Sequence, residues 1–319
     1  MSVPRRASHS ARTAVATLAT ALATGLAGCG SDAYKPSRAV HGELSGEAAL
    51  AHVEAIVALG PRPPGSEALE ETRRYLAESL AADGWVVERQ TFEDRTPQGK
   101  ITFVNLRARF PGGDTWNREI DGLLCSHIDS KLYESFVFVG ANDGGSSTGL
   151  LLEMARVLAI RPDLARKIEL VFFDGEEAYV SFTATDGLFG SRHYAKELRA
   201  WPPERLPKWA IVFDMVGDRD LNVRIPSNSD PRLTGLVLQA ASDLGTRQFF
   251  GLRGRPIIDD HVPLANAGIA ALNIIDLDYE PWHTPGDTLD KLSAESLEIV
   301  GQAGLLVVEK YLVGGVVSE

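Results

Sequence analysis

Apolar positions in residues 46–59 (Gly-Glu-Ala-Ala-Leu-Ala-His-Val-Glu-Ala-Ile-Val-Ala-Leu) recur at helical spacing and stop at Gly60-Pro61. That pattern predicts a helix closed by two residues that cannot prolong it. Residues 66–82 predict a second amphipathic helix, with Ser66 as N-cap, Glu67 and Glu70 in the first turn and Asp83-Gly84 at its end. Residues 85–92 and 101–110 alternate as half-buried strands do, around a turn at Thr96-Pro97-Gln98-Gly99. A further strand fits 120–126. Residues 168–173, 209–215 and 269–275 are nearly continuous apolar runs, the pattern of strands covered on both faces. Helical spacing fits 147–160, 190–199, 231–244 and 293–312. Strands alternating with helices predict an α/β fold, a three-layer sandwich with a central mixed, mostly parallel twisted sheet flanked by helices. No internal repeat or second composition regime interrupts it, so residues 45–316 are expected to form a single domain.

The start of the chain follows another pattern. Residues 1–12 carry Arg5, Arg6 and Arg12 and no acid, and residues 13–27 are a short apolar run. A basic segment, a short apolar run and small residues at a cleavage point predict a secretory signal over 1–28. Leu26-Ala27-Gly28-Cys29 resembles a bacterial lipobox, which implies that Cys29 is lipidated and becomes the first mature residue. Residues 29–44 read as a short polar tether. The expected location is the bacterial cell envelope, outside the cytoplasm, with the membrane reached through the lipid alone. No window has the ~20 consecutive strongly apolar residues of a spanning helix. The formal net charge of -11 argues against nucleic acid as a partner. A chain 44% hydrophobic and 24% charged can bury a sizeable core. Two cysteines exclude a disulfide framework, and Cys125, inside an apolar strand, is expected to be a buried thiol.

Polar residues gather where the apolar strands end: His127-Ile128-Asp129, Asn142-Asp143-Gly144-Gly145, Asp174-Gly175-Glu176-Glu177, Asp214, Asp259-Asp260-His261 and Trp282-His283. In open α/β sheets, ligands bind outside the carboxyl ends of the strands. Imidazoles and carboxylates without cysteine suit a catalytic zinc or a similar divalent ion. Glu176 and Glu177 diverge as neighbours do, so one can ligate a metal while the other faces substrate as a base. Two such carboxylates in an apolar pocket call for a cation nearby. Any one of these residues alone would read as a solvated loop acid or a structural histidine; six at strand ends do not. The chain has no phosphate loop with Lys-Ser/Thr and no His-Glu-x-x-His.

The order His127-x-Asp129-Ser130, Gly140-Ala141-Asn142-Asp143, Phe173-Asp174-Gly175-Glu176-Glu177, Asp214 and His283 resembles the zinc aminopeptidases with a co-catalytic metal pair. Within that family the chain is most similar to the animal-type glutaminyl-peptide cyclotransferases. The stretches that favour this branch are Arg62-Pro63-Pro64-Gly65-Ser66, Gln90-Thr91-Phe92, Asp129-Ser130-Lys131, Phe136-Val137-Phe138-Val139-Gly140-Ala141, Asp186-Gly187-Leu188-Phe189-Gly190-Ser191-Arg192-His193, Asp259-Asp260-His261-Val262-Pro263 and Trp282-His283-Thr284. The resemblance implies one zinc held by Asp143, Glu177 and His283, Glu176 as general base and acid, and Asp214 and Asp259 as the hydrogen-bond network beside it. It implies Trp282 as a wall of the substrate pocket. His127 matches a position that ligates a second metal in the aminopeptidases and is left free in the cyclases. Departures are Phe182, where the cyclases usually carry tryptophan, and Ser126 and Thr148, near the positions where they pair two cysteines. Asn142-Asp143-Gly144-Gly145 is closer to the aminopeptidases.

The implied activity is cyclisation of the N-terminal glutamine of peptides or proteins to pyroglutamate with loss of ammonia. The alternative is an aminopeptidase with two zinc ions, in which His127 and Asp214 bind the second and Asp143 bridges. A non-catalytic envelope binding protein is the third possibility. The intact Glu176 and ligand set weigh against it.

Overall fold

The computed structural model describes residues 39–313, so the expected signal segment and Cys29 lie outside the described residues. Helix α1 (Gly46–Ala58) is capped by Ser45, whose hydroxyl accepts from Ala48 N at 3.2 Å. Ser66 caps α2 (Glu67–Ala82) as expected, accepting from Leu69 N at 3.1 Å. Each cap satisfies one of the amide groups that a helix start leaves unpaired. Strands β1 (Val86–Thr96) and β2 (Gly99–Arg109) form an antiparallel hairpin in register from Val86↔Arg109 to Thr96↔Gly99. Both run further than their alternation predicts. The far end of β1, Glu93-Asp94-Arg95, is charged on both faces, and Glu93 Oε2 lies 2.5 Å from Lys100 Nζ across the pair.

Then follow β3 (Gly122–His127), α3 (Ser147–Ala159), α4 (Pro162–Ala165), β4 (Ile168–Phe173), α5 (Phe189–Leu198) and β5 (Trp209–Asp214). Beyond these lie β6 (Val223–Ile225), α6 (Pro231–Asp243), β7 (Phe250–Leu252), α7 (His261–Asn266), β8 (Ala270–Ile275) and α8 (Ala294–Leu306). The main sheet has six strands in the order β1-β2-β4-β3-β5-β8. The β2 strand pairs antiparallel with β1 and β4, and the pairings β4–β3, β3–β5 and β5–β8 are parallel. Alternation along the strands divides their side chains between two cores. Leu124, Leu170, Phe172, Ile211, Phe213 and Leu272 pack against α1, α2, α3, α6 and α8. Leu123, Cys125, Val171, Phe173, Ala210 and Val212 pack with residues of α5 and α7. This is the three-layer sandwich with a mixed, mostly parallel sheet. Cys125 is buried in the second core, and burial pushes its thiol well up, away from a reactive thiolate.

Four elements had no signal in the sequence: α4, α7 and the parallel pair β6–β7. Each is three to six residues long, too short to display a period. The helix expected over 293–312 is α8, continued by a wider π-type turn over Val307–Leu312. Val40 and Leu44 are buried in the first core, with a 3-10 turn between them, so packing begins ahead of residue 45. Polar neighbours hid these two apolar positions. Among the described residues, no helix is long and apolar enough to cross a membrane.

One buried group makes the fold sensitive to acid. His261 opens α7, is fully buried, and has no hydrogen-bond partner for either ring nitrogen. Burial pushes its imidazole down from 6.5 to about 4. Below pH 6.5 the unfolded chain therefore takes up a proton that the folded chain refuses, and stability falls as pH falls towards 4. From pH 7 to pH 5 this site should cost about 2 kcal/mol. Urea midpoints at the two pH values check it: His261→Leu should flatten the dependence, and equal slopes for both proteins would refute the assignment.

Candidate active site

The parallel strands end on one edge, and the loops beyond them carry the polar residues singled out in the sequence. His127 ends β3, and the segment before α3 holds Asp129, Asn142 and Asp143. Glu176 and Glu177 follow β4, Asp214 ends β5, Asp259 precedes α7, and Trp282 and His283 follow β8. Two glycines make this convergence possible. Gly175 has φ +72°, and a Cβ there would sit 2.5 Å from the Phe103 ring. Gly144 has φ +75°, and a Cβ there would meet Asp129 O at 2.6 Å. No other residue fits either turn. Met215, next to Asp214, and His283 also hold left-handed backbone, at φ 46° and 57°. For side chains with a Cβ this strain is worth ~1–3 kcal/mol each.

Two overlapping ligand sets result. His283 Nε2 lies 3.3 Å from both Asp143 Oδ2 and Glu177 Oε1. His127 Nε2 lies 3.4 Å from Asp143 Oδ1 and 3.1 Å from Asp214 Oδ1. Within each triad the donor atoms all fall within 4.8 Å of one another, and Asp143 belongs to both. A tetrahedral ion bonded at about 2.0–2.1 Å spaces its donors about 3.3–3.4 Å apart, so the separations suit zinc. Asp143 Oδ2 and Glu177 Oε1 are buried and make no hydrogen bond, a state a cation would satisfy. The residues present therefore fit a metal ion. Glu176 belongs to neither triad.

Several further residues, among them Asp287, which was not singled out in the sequence, surround the candidate ligands. Asp129 accepts from Glu176 N at 3.0 Å and from Glu177 N at 3.2 Å, and its Oδ1 lies 3.5 Å from His127 Nδ1. Such an outer carboxylate orients a ligating imidazole. Asp287 does the same for the other loop, accepting from Asn142 N at 2.8 Å, Asp143 N at 3.1 Å and the Tyr279 hydroxyl at 2.8 Å. Lys131 donates to Ala178 O and lies 3.4 Å from Glu177 Oε2. Trp282 stacks on the His283 ring at 4.3 Å between centroids.

The charges are tightly interdependent. Burial pushes the Glu176 carboxyl well up, helped by Asp259 and Glu177 and opposed by His127. Burial likewise raises Glu177 and Asp214, and it raises Asp259 well above its ordinary value, with Asp214 and Asp260 adding to the effect. For His283 burial works against protonation, but Asp143 and Glu177 carry the imidazole up to about 9. Asp143 is pulled down despite burial by His127 and His283. Asp259 also accepts from Asn273 Nδ2.

The triads open into a cleft of about 380 Å³ whose lining includes Glu176, Asp259, Phe182, Ile275, Leu277 and Trp282. That is the size and mix of apolar wall and few polar groups that small-molecule and residue-sized ligands need. Phe182 and Trp282 thus both line the cleft. Ser126 and Thr148, near positions where a disulfide was implied for the cyclases, are in contact, with their hydroxyl oxygens 3.0 Å apart.

Comparison with known proteins agrees with this geometry. Over 291 residues the chain is 29% identical to a glutaminyl-peptide cyclotransferase of Boiga irregularis, covering 79% of this chain and 77% of that protein. A crystal structure of an Acidobacteriales bacterium glutaminyl cyclase superposes with a TM-score of 0.76 at 33% identity, covering 83% of this chain and 94% of that one. A Zn-dependent exopeptidase from Parabacteroides distasonis superposes with a TM-score of 0.73 at 28% identity, over 83% of this chain and 98% of that one. Both chemistries thus occur on this backbone with zinc named in one of them, in keeping with the ligand sets above. Residues 105–308, which carry the sheet from the middle of β2 onward and every residue of both triads, match the model of peptidase family M28, and the chain belongs to that family.

Proposed function

We propose that the protein is a zinc-dependent glutaminyl-peptide cyclotransferase, which converts the N-terminal glutamine of a peptide into pyroglutamate and releases ammonia. Asp143, Glu177 and His283 would hold one zinc ion. When bound there, the ion would supply Lewis acidity to the substrate's γ-carboxamide carbonyl. The chain's own residues do the rest. The walls at Phe182 and Trp282 hold the glutamine side chain and exclude water from it. The α-amine attacks its own γ-carbon, so the reaction gains from orientation within one molecule. Glu176 takes the proton from that amine and gives it to the departing nitrogen; the new bond is carbon to α-nitrogen, and the bond broken is carbon to the amide nitrogen. A carboxyl with raised proton affinity suits this shuttle. Asp214 and Asp259 line the same cleft and offer acceptors to the amine. The observation that carries this reading is that Glu176 lines the cleft beside a complete triad yet is spared from ligation.

The second triad favours one rival, an aminopeptidase with two metal ions. Products decide between them: a glutamine-initiated peptide should lose ammonia and become blocked at its N-terminus, whereas an aminopeptidase would release a free amino acid. A protein that turns over neither is the binding module. His127→Ala is the companion test. With one zinc held by the other triad, the variant should keep near-stoichiometric metal and most activity; with two, it should lose about one equivalent.

The lipobox reading belongs to this proposal as well. Cys29 would carry the lipid that holds the enzyme at the bacterial envelope, facing the peptides it acts on. Cys29→Ser made in the native host should move the protein from the membrane to the soluble fraction. A wild type that is already soluble would overturn the anchor and leave the chemistry untouched.

A further inference from the structure

Arg253 is the one arginine or lysine that lines the cleft among the described residues. It lines the cleft together with Ile257, Ile258 and Leu277, just beyond the β7 strand. Its backbone amide is used, donating to Ile225 O at 2.8 Å. In the side chain, Nε is buried with no hydrogen-bond partner. The nearest carboxylate oxygen is Asp278 Oδ1 at 4.0 Å, beyond hydrogen-bond reach. Asp278 is itself engaged through Oδ2, which accepts from Asn222 Nδ2 at 2.8 Å. The other basic side chains around the site are spoken for. Lys131 serves Ala178 O and Glu177, and Arg62 donates to Ile128 O at 3.1 Å, Val139 O at 2.7 Å and Gly140 O at 3.0 Å.

An arginine held only by a loose ion pair at 4.0 Å, with its Nε free of hydrogen bonds, can receive a carboxylate, which its planar fork meets with two parallel hydrogen bonds. The N-terminal glutamine of a peptide brings an amine and a neutral carboxamide but no carboxylate. Any carboxylate that reaches Arg253 therefore belongs to the chain beyond it. An extended peptide advances about 3.5 Å per residue, so the residue after the glutamine is the first candidate. We propose that Arg253 gives the enzyme a preference for substrates with a carboxylate directly after the N-terminal glutamine, from an acidic second side chain or from the α-carboxylate of a dipeptide. The inference rests on the cyclisation reading. The preference runs against the field of the cleft, where Asp143, Glu176, Glu177, Asp214 and Asp259 would otherwise repel an anionic peptide.

The test compares kcat/KM for ammonia release from matched peptides with amidated C-termini, starting Gln-Glu, Gln-Gln and Gln-Lys, and from Gln-Ala with a free or amidated C-terminus. The wild type should favour the carboxylate member of at least one pair by roughly five- to twentyfold, through KM and less so at high salt. Each preference is a ratio within one protein, so a general loss of activity cancels. Arg253→Gln should bring the ratio near one, Arg253→Lys should keep part of it, and Arg253→Glu should shift preference to Gln-Lys. A preference in the Glu/Gln pair assigns the side chain as the source; one confined to the free dipeptide assigns the α-carboxylate. Wild-type ratios near one in both arms, or ratios that Arg253→Gln leaves unchanged, would overturn the inference. Absence of ammonia release from every peptide would instead overturn the cyclisation reading itself.

Discussion

Glu176→Gln is expected to keep the fold and the zinc while lowering kcat by roughly two to four orders of magnitude, the usual size of an acid/base contribution. The substitution is isosteric, and its backbone amide would still donate to Asp129, as Glu176 N does at 3.0 Å. Neither ligand triad includes this side chain, so metal content should hold. What disappears is the ability to take a proton from an amine at neutral pH. Substrate affinity should change little, since the cleft walls at Phe182 and Trp282 remain. Glu177→Gln next door should behave differently, with weakened zinc binding, because Glu177 Oε1 is the oxygen that faces His283 Nε2 at 3.3 Å. Steady-state kinetics with metal analysis on both variants separates the roles. Zinc lost from Glu176→Gln and retained by Glu177→Gln would mean that the two are reversed.

Asp143→Ala should be the most damaging single change. Asp143 is the one residue common to the two triads, so its loss leaves only two protein ligands at each place, too few for a stable catalytic zinc site. Zinc should fall to trace levels and activity to background, whichever number of ions the wild type holds. The loop itself should persist, because Asp287 holds it through the backbone amides of residues 142 and 143, and Ala keeps that amide. A near-native thermal transition alongside absent metal is the expected signature. A folded variant with near-stoichiometric zinc would place the metal elsewhere.

The candidate ligands stood out in the sequence because each lies beyond the end of an apolar run or ahead of a helix signal. His127, Glu176, Glu177, Asp214 and His283 are where strand periodicity gives way to acid or imidazole, and a parallel sheet carries all such ends to one edge. The residues that steady them were not legible. Asp287 lies in an irregular loop, and its value comes from two amides about 145 residues earlier in the chain, a pairing no local pattern encodes. Asp129 was visible as part of a motif, but its grip on the amides of Glu176 and Glu177 depends on the left-handed turn at Gly175. Arg253 sits between a three-residue strand and a six-residue helix, where periodicity has too few residues to speak. The three-layer order was foreseeable from alternating strands and helices; the β6–β7 pair was not, for the same reason of length.

The left-handed backbone at Met215 and His283 sets a hazard for anyone who selects this protein for heat resistance. Asparagine and glycine occupy that backbone region more comfortably than methionine or histidine. A library screened only for survival at high temperature would therefore be drawn to positions 215 and 283, where relief of strain offers ~1–3 kcal/mol. At 283 the survivors would lose a proposed ligand, and at 215 they would change the backbone next to Asp214. Hardier descendants would thus tend to be slower ones, and a useful screen has to demand turnover in the same round as endurance.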